Sequence, residues 1–305
     1  MVRINYLLLI GYCLVATPLV AQLRVATYRY AENSRVDNIR PIADLLAAAT
    51  GQVATVVSYP SVGELVDAIQ QGNVDVAFIN TFGYLLLAAD SLAQPSMVPL
   101  VVWQTLDDAT DDNYRCIFIA PEGGVVTNSD DVALNTAERS LLLVSEGSTS
   151  GNLVPRIALS ALGITHPEQQ FKSIAYAGTH QQTAEKIALG EADLGAIGSI
   201  AYEDFIREST NRPIRLVWRS PEIPLGPVLV SNRLPYVERE QIADVLIRLH
   251  SNHPEAFEAA KNGWSEAQHA KSYRRVKSDY LYRLIQQFGD ATELNRIVRT
   301  FLNKN

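Results

Sequence analysis

Ile69-Gln-Gln-Gly72-Asn-Val-Asp75-Val-Ala-Phe-Ile79 returns 118 positions later as Ile187-Ala-Leu-Gly190-Glu-Ala-Asp193-Leu-Gly-Ala-Ile197. Ile, Gly, Asp and Ile recur in register. Each copy reads as a helix end, a glycine that stops the helix, and a short apolar strand buried on both faces. The flanks repeat too. Ahead of the first copy lie a strand over Leu23–Tyr28, a helix over Asp37–Thr50 closed by Gly51, and a strand over Val53–Tyr59. Ahead of the second lie a strand over Ser140–Ser145, a helix over about Leu153–Leu162 closed by Gly163, and a strand over Phe171–Tyr176. Strand, helix, strand, helix, strand, written twice, predicts two α/β lobes, each a mainly parallel sheet flanked by helices.

The connections fit that plan. The first half continues through a strand over Met97–Gln104, and the polar run Asp107–Asp112 leads into a strand over Tyr114–Ala120. The second half continues through Ile214–Trp218. Pro221, Pro224, Gly226 and Pro227 then mark a return crossing. From Val237 the tail reads as amphipathic helix, with Ile242, Val245, Leu246 and Leu249 on one stripe that folds back on the first lobe. The expected division is residues 22–106 with 225–305 in lobe 1 and 107–224 in lobe 2, joined by two crossing strands. Ligands favour such interlobe clefts and the carboxyl ends of strands, and two crossings make a hinge that closes on one.

Residues 1–21 stand apart. Arg3 is their only charge, Tyr6–Ala16 is mostly apolar, and Thr-Pro-Leu-Val-Ala follows. This reads as a signal peptide cut near Ala21 or Gln22, and hence as a periplasmic protein. Pro18 interrupts the apolar run, which disfavours a membrane anchor. Tyr12 is too large to precede a lipidated Cys13. No later stretch is apolar enough to span a membrane. Cleavage leaves Cys116 alone, so an intrachain disulfide is excluded and a buried small hydrophobe is expected. The formal charge of −7 argues against a nucleic-acid partner. It leaves an anionic ligand open, because local dipoles act at short range.

The chemistry concentrates in Gly147-Ser-Thr-Ser-Gly151 and in Gly178-Thr-His180. Pro155 fits only a first helical turn, so the helix starts near Leu153 and Ser148–Gly151 form the turn that feeds it. The amides of that turn lie at the positive end of the helix dipole, and Ser148, Thr149 and Ser150 add rotatable donors. Parallel topology brings His180, after strand Phe171–Tyr176, beside the same strand ends. Tyr59, Thr81 and Tyr114 sit at strand ends of the first lobe and the first crossing, where a phenol or hydroxyl can close a pocket. Each also has a plain structural reading: a decorated helix cap, a structural histidine, core tyrosines.

Ser148-Thr-Ser-Gly-Asn-Leu-Val-Pro155, Ala177-Gly-Thr-His180, Ile187–Ala196 and Ser220-Pro-Glu-Ile-Pro224 resemble the phosphate/phosphite/phosphonate-binding proteins of bacterial ABC importers. The resemblance runs from about Leu23 to Leu234 and implies a two-lobed type 2 periplasmic binding protein fold. It implies that Ser148, Thr149, Ser150 and His180 hold an oxyanion, with Tyr59 and Tyr114 in the pocket. It also implies an ABC permease in the inner membrane as partner. Members that take aminoalkyl phosphonates carry two acids for the amine. Those positions are Ile200 and Gly226 here, with Glu203 or Asp204 as substitutes only if the register shifts. The expected ligand is therefore phosphate, phosphite or a simple alkylphosphonate, bound by a monomer.

Two other functions keep some of these features. A ligand-sensing subunit docked on a membrane receptor kinase needs the same cleft. A hydrolase would use Ser148 or Ser150 with His180, but Gly147 and Gly151 bracket Thr149, so the Gly-x-Ser-x-Gly elbow is not met. No cofactor or metal is expected. The histidines at 166, 180, 250, 253 and 269 do not gather with carboxylates at ligand spacing.

Overall fold

The structure is a computed structural model that describes residues 21–90, 96–105, 114–208 and 214–302. The first half holds β1 (Gln22–Tyr28), α1 (Val36–Thr50), β2 (Val53–Tyr59), α2 (Val62–Gln70), β3 (Val76–Phe78), α3 (Thr81–Asp90) and β4 (Met97–Gln104). Next come β5 (Cys116–Pro121), β6 (Ser140–Leu143), α4 (Val154–Ala161), α5 (Pro167–Gln170), β7 (Ser173–Tyr176), α6 (His180–Ala188), β8 (Leu194–Gly198), α7 (Ser199–Glu208) and β9 (Ile214–Arg219). The chain ends with β10 (Pro227–Ser231), α8 (Tyr236–Ile247), α9 (Leu249–Asn252), α10 (Pro254–Lys261), β11 (Ser272–Arg275), α11 (Tyr280–Gln287) and α12 (Ala291–Leu302). The signal-peptide reading of residues 1–21, the polar run Asp107–Asp112 and the boundary at 106/107 lie, apart from Ala21, outside the described residues.

Two sheets form the two lobes. The first has the order β11-β4-β10-β3-β1-β2 and the second β7-β6-β8-β5-β9. In each, three strands run parallel: β2-β1-β3 and β7-β6-β8. A strand that has crossed from the other half then joins antiparallel, β10 beside β3 and β5 beside β8. The lobes therefore exchange strands, and the return crossing leads into β10.

The sequence repeat has a physical cause. Gly72 and Gly190 both end their helices at positive φ, +74° and +73°, which a side chain would strain. Three residues on from each glycine, the aspartate reaches the neighbouring strand. An Asp75 carboxylate oxygen accepts the Arg24 amide at 2.9 Å, and an Asp193 oxygen accepts the Ser140 amide at 2.8 Å. Each aspartate ties the start of a lobe's third strand to the start of its first. Asp75 also takes the Arg24 guanidinium at 2.7 Å and that of Arg233, on the return strand's exit, at 3.3 Å. Arg24 and Arg233 are partly exposed, which discounts the pairing; the lost amide acceptor dominates. Asp75→Ala should cost about 2 kcal/mol in urea denaturation, and a loss under about 0.5 kcal/mol would contradict this role.

The tail departs from an all-helical reading. α8 packs on α1 and β4 through Ile242 and Leu246, as its stripe predicts. β11, however, extends the first sheet antiparallel to β4. Tyr273 supplies the reason, stacking on Trp103 at 4.0 Å in the core. The last helix, α12, packs on α3 of the first lobe and on α4 of the second, bridging both. Cys116 is fully buried in β5, where burial pushes its thiol up.

Candidate functional site

The carboxyl ends of the parallel strands of both lobes face one cavity of about 350 Å³. Ser148, Thr149, Ser150, His180 and Tyr114 line it. Tyr59 and Thr81 do not. Tyr59 packs against the first lobe's core, and the Thr81 hydroxyl donates to the Pro224 carbonyl, pinning the return crossing.

The turn before α4 is wider than an α-helical one. Thr149–Leu153 form a π turn capped by Ser148, whose Oγ accepts the Gly151 N–H at 3.0 Å. A Cβ on Gly151 would lie 2.3 Å from Val144, so only glycine lets this turn sit on its strand. Being first in the turn, the amides of Thr149 and Ser150 have no partner within the helix. The three hydroxyls are arranged as donors. Ser148 Oγ is occupied as an acceptor. So is Thr149 Oγ1, which takes the Phe82 N–H at 3.1 Å. Each keeps its own proton to give. Ser150 and Tyr114 share one hydrogen bond of 2.9 Å, which leaves that pair one proton to give.

His180 is fixed as a neutral donor. Its Nδ1 accepts the Gly198 N–H at 3.1 Å, so the proton resides on Nε2. Burial lowers its pKa to about 4. With its Nδ1 lone pair engaged by Gly198, the imidazole is not placed to take a serine proton. Gly198 is itself required, since a Cβ there would lie 1.9 Å from the Tyr114 hydroxyl.

The first lobe supplies the opposite wall. Tyr28, Tyr30, Arg35, Ser61, Asn80 and Glu266 line it. Burial raises the phenols, Tyr30 to about 12 and Tyr114 well above its ordinary value, so they stay protonated donors. Arg35 is buried and caps α1 in a left-handed conformation, φ +61°. Its guanidinium donates to the Gly263 carbonyl at 2.7 Å and lies over the Tyr28 and Trp264 rings at 4.4 and 4.5 Å. The N-terminal ends of α1, α2, α6 and the turn before α4 all border the cavity, so four sets of helix amides favour negative charge there.

The lobes touch across the site. Asn80 Nδ2 donates to the Gly147 carbonyl at 2.8 Å, and the His180 amide donates to the Tyr30 hydroxyl at 3.1 Å. With the Phe82–Thr149 bond, these contacts place the loop at 147–151 against the first lobe, in a closed arrangement.

A family model for the periplasmic substrate-binding protein of phosphonate ABC transporters matches residues 26–275. The chain belongs to this family. Among curated relatives of this phosphonate-binding family, a phosphate-import protein of Mycolicibacterium smegmatis is 24% identical over 204 residues, 63% of this chain. The match spans 60% of that relative's length. Two solved structures show the same two-lobed fold. A binding-protein component of a Pseudomonas aeruginosa phosphonate transporter superposes with a TM-score of 0.68 at 16% identity, covering 94% of this chain and 90% of its own. PhnD1 of Prochlorococcus marinus, solved with methylphosphonate, gives 0.67 at 17%, covering 93% of this chain and 99% of its own. These relatives are solute-binding proteins.

The positions of the two absent acids now have a structural account. Ile200 is buried among core residues. At Gly226 a Cβ would lie 2.1 Å from the Ile79 carbonyl oxygen, so no side chain fits. Neither proposed substitute faces the cavity: Glu203 is exposed and Asp204 pairs with Arg207. The acids that do border the cavity are Glu146 at its rim and Glu266 from the C-terminal segment. Sequence reasoning missed both, along with Arg35. Tyr28 and Tyr30 could have been found, since they close and follow the first parallel strand, where the strand-end rule places ligand contacts.

Proposed function

We propose that the protein captures a phosphorus oxyanion (phosphate, phosphite or a simple alkylphosphonate) in the interlobe cleft and delivers it, outside the cytoplasm, to an ABC permease. The supporting observation is the donor set: two orphan amides, hydroxyls whose lone pairs are already engaged, and an imidazole held as a neutral Nε2–H donor. Such a set stabilises an anion mainly through hydrogen bonds and helix dipoles. Of the two arginines that line the cavity, Arg35 has its guanidinium turned to backbone carbonyls and rings, and Arg29 is exposed. Ser148, Thr149, Ser150, His180 and Tyr114 are the proposed ligand contacts. The cavity has room for roughly ten waters at about 30 Å³ each, more than a bare tetrahedral oxyanion fills, so a small substituent is accommodated.

Calorimetric titration with phosphate, phosphite and methylphosphonate tests this reading. At least one should bind at one site per chain. It should raise unfolding stability by about 2.7 kcal/mol at a hundredfold excess over Kd. No heat and no melting shift with any of the three would overturn it.

A further inference from the structure

Glu266 poses an electrostatic problem. It sits in a short helix, Ser265–Ala267, that packs against α7 of the second lobe. It lines the same cavity as the hydroxyl turn and His180. A carboxylate there opposes the helix dipoles and repels an anion. Arg35 does not cancel it by direct pairing, because that guanidinium is engaged by the Gly263 and Tyr28 carbonyls and by aromatic rings. The carboxyl's own side-chain partner is the Ser265 hydroxyl, at a long 3.5 Å. An acceptor group in an anion site is satisfied when the ligand brings a proton of its own.

Resting on the phosphorus-oxyanion reading above, we propose that Glu266 selects the ligand's protonation state. Its carboxylate accepts a hydrogen bond from a P–OH group, so the site takes the monoprotonated oxyanion and excludes tetrahedral anions that carry no proton, sulfate and sulfonates. Discrimination of this kind is large because the wrong ligand leaves two negative groups facing each other in a desolvated cleft. Burial pushes the Glu266 carboxyl up, with the Arg35 charge pulling the other way, which is consistent with a group poised to share a proton. The other titratable and charged groups lining the cavity are Arg29, Tyr28, Tyr30, Tyr114, His180 and Glu146. The three phenols are raised and His180 is lowered to about 4, so these four do not titrate between pH 6 and 9.

Wild type and Glu266→Gln are compared by calorimetry with methylphosphonate, its isostere methylsulfonate, and 2-aminoethylphosphonate. Wild type should prefer methylphosphonate over methylsulfonate by about a hundredfold or more, and the amide variant, which can donate, should narrow that ratio at least tenfold. An unchanged ratio in a variant that melts like wild type overturns the proposal. So does a wild-type preference for the aminoalkyl ligand that Glu266→Gln abolishes, since that assigns the carboxylate to an ammonium group. If the variant does not fold, the wild type still decides. Above the second pKa of methylphosphonate its Kd should rise about tenfold per pH unit, and a flat Kd across that pKa overturns the proposal. Failure of all phosphorus oxyanions to bind wild type would instead strike the functional reading beneath it.

Discussion

Gly226→Asp, which restores an acid where the aminophosphonate-binding relatives are expected to carry one, should cost about 3 kcal/mol or more of folding stability and should not create an amine site. The reason lies in backbone geometry. A Cβ at 226 meets the Ile79 carbonyl oxygen at 2.1 Å and Asn80 Cα at 2.4 Å, and neither is a flexible side-chain end that can swing away. The return crossing is also pinned nearby, where Thr81 donates to the Pro224 carbonyl. Asn80 lies on the strained side and holds the Gly147 carbonyl across the cleft, so the disturbance reaches the oxyanion turn. Gly226→Ala should therefore be nearly as damaging as Gly226→Asp, because the clash begins at Cβ. Urea denaturation decides: an alanine variant within about 1 kcal/mol of wild type would show that the crossing relaxes, and the argument against an acid at this position would fall.

The same contrast between local and long-range causes explains what could be read in the sequence. The repeat around Gly72 and Gly190 was legible because helix stop, strand start and aspartate bridge all fall within a few residues. The strands Val53–Tyr59 and Met97–Gln104 keep their predicted bounds. The turn at 148–151 was legible as a cap, although its π geometry depends on how Gly151 packs on Val144. Arg35 and Glu266 were not legible. Arg35 enters the cleft because its backbone is left-handed and a carbonyl at Gly263 holds its guanidinium, 228 residues away. Glu266 enters because β11 joins the first sheet and carries the preceding segment to the mouth of the cleft. Tyr59 illustrates the opposite error: the end of a parallel strand is a favoured place for a ligand contact, but β2 is an edge strand, and its end packs beside the core.

His180 should make the stability of the unliganded protein fall by about 3 kcal/mol as the pH drops from 6.5 to 4. In the unfolded chain a histidine takes up its proton near pH 6.5. In the folded protein burial delays protonation to about pH 4, and the Gly198 N–H occupies the lone pair that would accept it. Between those values the unfolded state binds more protons, so stability declines with falling pH. Above 6.5 the contribution is fully present. Carboxylates titrate in part of the same window, so the comparison is with His180→Gln, whose side-chain oxygen can still accept the Gly198 N–H but cannot titrate. The wild-type curve should fall more steeply than the variant's, with the gap widening toward pH 4; parallel curves would mean that His180 is exposed enough to protonate freely. Binding gives an independent check. His180→Ala removes an N–H donor to an anion, worth about 1.5–3 kcal/mol, so methylphosphonate affinity should drop roughly ten- to a hundredfold. If affinity is unchanged while the pH effect disappears, the imidazole supports Gly198 and the end of β8 without touching the ligand, and the oxyanion is held by the turn at 148–151 alone.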